Sequence, residues 1–208
     1  EKQGLSNPVV GRTIEDKNGN LWIGTEGGGL NYFNRRTREF KWYRPQEGRN
    51  SISHNNVKAL YYDADKEIIW IGTHLGGMNR LDIRSGHFTH YRMEDNNQQT
   101  LPSDIVRDII PYKDLLIVAT QNGVCLFDPD SGKCRQLFKD SKEGKSIKMV
   151  ADILLDSEGT LWIAATGEGV FSYRFDTRKL TNYRHDSLNP NSLSNNNVNN
   201  IMQDSQGR

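Results

Sequence analysis

Leu21-Trp22-Ile23-Gly24-Thr25 decides how this chain is read. It returns as Ile69-Trp70-Ile71-Gly72-Thr73, then as Leu116-Ile117-Val118-Ala119-Thr120, and again as Leu161-Trp162-Ile163-Ala164-Ala165-Thr166. From Trp22 through Trp70 and Ile117 to Trp162 the steps are 48, 47 and 45 residues. Self-similarity at such a period marks a repeat architecture. Other columns keep the same period: a valine upstream (Val10, Val57, Val106, Val150, Val198) and, five positions before most of these, a Leu or Ile (Leu5, Ile52, Leu101, Leu193). Ile147 stands only three residues before Val150, so the third linker is shorter by two. The expected repeats run about 5–51, 52–100, 101–146, 147–192 and, incomplete, 193–208, within a single domain 1–208.

Each repeat reads as four short strands, because runs of β-branched and aromatic residues alternate with Gly, Asn and Asp. In the second copy these are Val57 to Tyr62, Ile68 to Thr73, Gly77 to Asp82 and His87 to Arg92. Asp16-Lys-Asn-Gly19 and Asp156-Ser-Glu-Gly159 read as hairpin turns: the carboxylate accepts from an amide two residues on, and Gly takes a positive φ. Ser85-Gly86 and Asp130-Ser131-Gly132 turn the third strand into the fourth. Ile147, Val150, Ile153 and Leu154 have near-helical spacing. The repeat overrules that reading, since the same column is a strand in the second copy.

Composition narrows the function. The 208 residues are 35% hydrophobic with mean hydropathy −0.75, yet hold 4 Trp, 8 Tyr and 7 Phe, enough large apolar side chains to fold. Lys and Arg total 27 against 26 for Asp and Glu, so no excess positive field draws nucleic acid. No wholly apolar run is longer than Leu115 to Ala119, which is far too short to span a membrane. Two cysteines exclude a disulfide scaffold and a four-thiolate zinc site.

Four-stranded units joined by long polar linkers describe a β-propeller. One meander cannot cover both its faces. Stacked radially, each blade covers the next, and the hub residues Trp22, Trp70, Ile117 and Trp162 fill the gaps. Gly24 and Gly72, with Ala119 and Ala164 in the matching slot, let neighbouring sheets approach. The expected fold is therefore all-β: a partial propeller of four four-stranded blades plus the first strand of a fifth. Gln203-Asp-Ser-Gln-Gly207-Arg208 reads as that fifth blade's first turn.

The pattern V-x-x-I-x-x-D-x-x-G-x-L-W-I-G-T-x-x-G-G-L resembles the two-component-regulator propeller repeat. Glu26-Gly-Gly-Gly-Leu30 and His74-Leu-Gly-Gly-Met78 match best, whereas Gln121-Asn-Gly-Val124 and Gly167-Glu-Gly-Val170 read as one residue short. The resemblance implies a larger, seven-bladed ring in the periplasmic part of an inner-membrane hybrid two-component sensor. It also implies an oligosaccharide ligand, a homodimeric receptor, and control of polysaccharide-utilisation genes through a histidine kinase. It implies no cofactor, metal or catalytic residue in this region. A propeller lyase resembling the streptogramin lyases and a plain interaction scaffold are the alternatives.

Linkers into each innermost strand share one face with the turns between second and third strands, and these loops surround the central funnel. The candidate ligand residues there are His54, Asn55, Asn56, His74, Asp104, Gln121, Lys148, Glu168 and Asn196. Amides and a few charges suit sugar hydroxyls, and a sugar receptor is expected to present a polar, aromatic-edged cleft. Asn and Ser before a strand also serve as backbone caps. His87 and His90 point to opposite faces of their strand and cannot chelate one metal. Asp128-Pro-Asp130-Ser-Gly132 partly matches a calcium loop but reads better as a hairpin turn. Arg35, Arg36 and Arg38 read as a solvated tip. Cys134 takes the slot of Phe88 and Leu180 and reads as a small core residue. Cys125 lies on the adjacent strand, and a bond between them is geometrically open, although most cross-strand pairs are not spaced for one.

Overall fold

The computed structural model describes residues 4–139, 141 and 144–207, so Arg208 lies outside the described residues. Among the described residues sixteen strands form four antiparallel meanders. Blade 1 comprises β1 (Val10–Glu15), β2 (Leu21–Thr25), β3 (Gly29–Asn34) and β4 (Glu39–Tyr43). Blade 2 comprises β5 (Val57–Asp63), β6 (Ile68–Thr73), β7 (Met78–Asp82) and β8 (His87–Tyr91). Blade 3 comprises β9 (Val106–Tyr112), β10 (Leu115–Thr120), β11 (Gly123–Asp128) and β12 (Lys133–Gln136). Blade 4 comprises β13 (Val150–Leu155), β14 (Thr160–Ala165), β15 (Gly169–Arg174) and β16 (Lys179–Tyr183). The helical spacing at 147–154 does resolve as strand β13, with only a short 3-10 turn, Gly144–Ser146, ahead of it.

The hairpin turns form as the carboxylates dictate. Asp16 Oδ1 accepts from the Asn18 amide at 2.9 Å, and Asp156 Oδ1 from the Glu158 amide at 3.0 Å. Gly19 and Gly159 sit at φ 78° and 79°. The second carboxylate oxygen has a further use. Asp16 Oδ2 accepts the Trp22 indole N–H at 3.2 Å, and Asp156 Oδ2 accepts that of Trp162 at 2.7 Å. One aspartate thus closes the turn and fixes the ring that fills the seam.

Three apolar clusters lie at the three seams. Trp22 packs with Leu60, Ile69, Ile71 and Phe88 of blade 2. Trp70 packs with Val106, Ile109, Val118 and Phe127 of blade 3. Ile117 packs with Ile153, Ile163 and Phe171 of blade 4. Trp22 and Trp70 are fully buried. A Cβ on Gly24 would stand 2.6 Å from Val57 Cγ1, and one on Gly72 would stand 2.6 Å from Val106 Cγ1. Glycine is needed there because the valine column of the next blade presses against the sheet.

The four innermost strands β1, β5, β9 and β13 lie side by side. They converge on one axis, since the Arg12 guanidinium of blade 1 reaches Asp152 of blade 4 at 2.7 Å and Asp108 of blade 3 at 3.4 Å. Both outer faces of the stack are open. Val10 and Trp42 on blade 1 are 45% and 44% exposed, and on blade 4 Tyr183 is 45% exposed while Trp162 is only partly covered. Residues 198–202 run beside β13, with the Ile201 amide donating to Asp152 Oδ2 at 2.8 Å, and the turn expected at 203–207 forms. They make no ladder, so the fifth copy is not a strand here. An inner strand takes its hydrogen bonds from its hairpin partner, and 198–202 have none among the described residues. Among the described residues no helix is long and apolar enough to cross a membrane.

Candidate functional site

The funnel face is knitted from backbone. The Gly29 amide donates to Asn55 O at 2.7 Å, Gly77 to Asp104 O at 2.8 Å and Gly169 to Asn196 O at 3.0 Å, tying the turns of blades 1, 2 and 4 to the segment that follows each blade. The first residue of each turn bonds back to its own blade: Glu26 to Val9, His74 to Asn56, Gln121 to Ile105 and Thr166 to Met149. Thr166 therefore holds the slot expected for Glu168, which stands two residues later and pairs with Arg184. The register explains the difference: Ala165 pairs with Gly169 as Thr25 pairs with Gly29, so the blade 4 turn is full length and only that of blade 3 is short.

The nine candidate residues fall in three places. Glu168 and Asn196 lie at the edge of blade 4, and Asn196 Oδ1 accepts the His185 amide at 2.7 Å. His54, Asn55, Asn56 and His74 lie over blades 1 and 2. There Lys58 forms an ion pair with Glu26, and its hydrogen bond holds the Glu26 carboxyl below the usual range. Burial, reinforced by Arg107, Lys58 and His54, lowers the His74 pKa, which leaves a neutral imidazole at pH 7. Its Nδ1 and Asn56 Oδ1 are both buried without a partner among the described residues. A β-bulge follows the valine of each inner strand, and it turns Lys58 toward this cluster.

Asp104, Gln121 and Lys148 share one cleft of about 500 Å³ between the turns of blades 2 and 3. Asp104 is bound into its wall, accepting from the Met93 amide at 2.7 Å and from Arg92 at 2.9 Å. The Gln121 and Lys148 side chains make no hydrogen bond among the described residues and are available to a ligand. The edge is aliphatic rather than aromatic as expected: Leu75, Met93 and Met149, each between 44% and 54% exposed, line it. Leu75 and Met149 also hold φ of 75° and 49°. Leu75 stands where blades 1 and 4 have Gly27 and Gly167, so a branched side chain has been placed, against its backbone preference, where only glycine is comfortable. Strain of that kind collects at binding sites.

Sequence reasoning missed a second polar group at the funnel floor. Arg12, Asp108 and Asp152 occupy the same column of three inner strands, where blade 2 has Ala59. Asp108 is buried, and burial pushes its pKa up to about 6 against the opposing pull of Arg12 and with the added repulsion of Asp152. Charged residues in the innermost strand were the available signal. Other polar groups singled out in the sequence are held in local contacts. Asp128 accepts from Asp130 N and Ser131 Oγ in a hairpin turn, His90 Nε2 lies 2.8 Å from Ser51 O, and Arg35 turns to Glu15. Among the described residues no three His, Cys, Asp or Glu side chains converge on a metal position.

Radially stacked meanders around a polar funnel define a β-propeller domain. Residues 58–206 match the profile of the SMP-30/Gluconolactonase/LRE-like region, and residues 4–27 match the two component regulator propeller profile. The chain belongs to the SMP-30/Gluconolactonase/LRE-like family, and its first copy is a two component regulator propeller repeat, as the hub motif resembles. No curated protein matches it. Among solved structures, the extracellular domain of BT3049 from B. thetaiotaomicron, described as a hybrid two component system, is 22% identical. That match covers 99% of this chain and 39% of the other at a TM-score of 0.61. The extracellular domain of BT4673 from the same organism, described as a one component system, is 24% identical over 86% of this chain and 24% of its own, with a TM-score of 0.69. A streptogramin B lyase is 16% identical over 88% of this chain and 56% of its own, with a TM-score of 0.61. These likenesses establish the fold. This chain spans about two fifths and one quarter of the two extracellular domains.

Proposed function

We propose that this chain is the ligand-sensing propeller of an extracytoplasmic receptor, the periplasmic part of an inner-membrane hybrid two-component system, and that it binds oligosaccharide fragments without transforming them. The observation that carries the reading is the cleft between blades 2 and 3, where two non-glycine residues are held in left-handed backbone to present Leu75 and Met149 beside Gln121 and Lys148. The aliphatic edge suits the C–H face of a sugar ring, and the amide and ammonium suit its hydroxyls. The regulator-propeller repeat and the extracellular domains that share the fold support the sensor class. In this reading further blades of the parent chain cover the open faces of blades 1 and 4, and a homodimer passes the signal on to a kinase that governs polysaccharide-utilisation genes.

Isothermal titration of the chain against a panel of glycan fragments tests the ligand class. A binder whose affinity falls about tenfold or more in Lys148→Ala and Gln121→Ala supports it, that being roughly 1.4 kcal/mol per lost contact. Absence of binding across the panel contradicts it. The buried Asp108 beside Asp152, with a pKa near neutrality, favours the lyase as the second reading. Mass spectrometry of a cyclic depsipeptide incubated with the chain separates the two: turnover that Asp108→Asn abolishes would replace the receptor by an enzyme.

A further inference from the structure

Blade 3 departs from blades 1 and 2 at one further column, the one where blade 4 has Phe171. In blades 1 and 2 a fully buried asparagine on the third strand holds the incoming linker: Asn31 Oδ1 accepts the Ser6 amide and Asn79 Oδ1 the Ser53 amide, both at 2.8 Å. Blade 3 has Cys125 in that slot, and the linker residue opposite is Pro102, which has no amide hydrogen to give. The clamp has been lost from both sides at once. In its place Cys125 meets Cys134, with the two Sγ atoms 3.2 Å apart and the Cys125 thiol donating to Cys134. The pair is diagonal in the ladder, since Cys125 stands opposite Gln136 and Cys134 opposite Phe127. Both thiols are reduced and buried. That hydrogen bond, then burial, raises the Cys125 pKa.

We infer that Cys125 and Cys134 are the two halves of an intrablade disulfide, closed by exchange with a small-molecule disulfide. A sulfur–sulfur bond of about 2.05 Å asks the side chains for roughly one more ångström of approach, and because a diagonal pair stands wider than an opposed one, the four-residue edge strand β12 shifts toward β11 as the thiols rotate. Cys134 is the less enclosed partner, 5% exposed against 0% for Cys125, and it lines a cavity of about 130 Å³ between β8 and β12, whose wall includes Tyr91, Leu101 and Phe127. The Cys134 thiolate attacks the incoming disulfide and forms a mixed disulfide, expelling one thiolate. That thiolate takes the Cys125 proton, and Cys125 then attacks the Cys134 sulfur and expels the second. Two protein thiols are oxidised, one external disulfide is reduced to two thiols, and no other reactant is needed. The bond joins β11 to β12 beside Trp70 and Phe127, and the Cys134 amide, bonded to Gln99 O at 2.7 Å, already holds the linker there. Oxidation therefore ties β11 covalently to the strand whose backbone already holds the linker.

The test is equilibration of the chain with oxidised glutathione, followed by denaturation, alkylation and intact-mass measurement. The expected product is a monomer lighter by two hydrogens that takes up no alkylating agent, with one linked peptide carrying Cys125 and Cys134, and with a thermal midpoint several degrees above that of the reduced chain. Cys125→Ala instead retains glutathione on Cys134 and loses the shift in midpoint. Refolding from denaturant in the same buffer removes any barrier of access. Two alkylatable thiols, glutathione adducts on wild type, or disulfide-linked dimers after refolding would overturn the inference.

Discussion

Trp70 and Trp162 occupy the same slot in blades 2 and 4, pack at a tilt against equivalent tyrosines at 5.9 and 5.8 Å, and have opposite surroundings. Trp70 is 1% exposed because blade 3 lies across it, with Phe127 edge-on at 5.4 Å. Trp162 looks onto an open cavity of about 630 Å³ lined by Val170, Tyr183 and Leu193. The same strand chemistry makes the same surface in each blade, and a neighbour decides whether that surface becomes core. Burial in this fold is a property of seams rather than of strands.

The largest effect expected from that contrast is on stability. Trp70→Ala should cost about 3–5 kcal/mol, as loss of a buried aromatic does, whereas Trp162→Ala should cost about 1–2 kcal/mol, mainly its bond to Asp156 and partial cover. Urea unfolding of both variants measures the difference, and equal losses would break the comparison. Gly72→Ala probes the seam from the other side. Its Cβ would meet Val106 at 2.6 Å and Ala59 at 2.8 Å, at a cost of about 1–3 kcal/mol, and Val106→Ala in the same chain should recover part of it.

The funnel floor gives a pH dependence. The Asp108 pKa is raised to about 6 when folded against roughly 3.9 unfolded. The protonated form is thus the one the fold favours, and the stability it contributes is present below about pH 4 and lost as pH rises through 6. Asp108→Asn should keep on the order of 2 kcal/mol that wild type loses across that window. Denaturant midpoints from pH 4 to 7 for the two proteins check this, and parallel curves would contradict it. The smallest effect concerns blade 4. Thr25, Thr73 and Thr120 each donate to the carbonyl across their turn at 2.9 Å, and Ala165 stands in their place. Ala165→Thr should add about 0.5–1.5 kcal/mol, read as a small rise in midpoint.

The propeller was legible because its evidence is periodic. The hub, the valine column and the Asp-x-x-Gly turns recur at one spacing, and each repetition corrects the others, as at 147–154, where local spacing alone suggested helix. The turn of blade 4 is legible only through its register: Thr166 resembles Thr25, yet Ala165 carries that pairing. What stayed hidden depends on the third dimension. Arg12 and Asp152 are 140 positions apart and meet only because the inner strands share an axis. Leu75 and Met149 gain meaning from a left-handed backbone that no side-chain pattern announces. The sulfur contact of Cys125 and Cys134 follows from a diagonal register that spacing does not determine.

Solvent paramagnetic relaxation of the tryptophan ring signals tests the seam account most directly, on the unaltered chain. Trp22 and Trp70 should be shielded from a soluble paramagnetic agent, while Trp42 and Trp162 relax strongly. Rings of Trp22 and Trp70 as accessible as Trp42, or a Trp162 ring as shielded as Trp70, would contradict it.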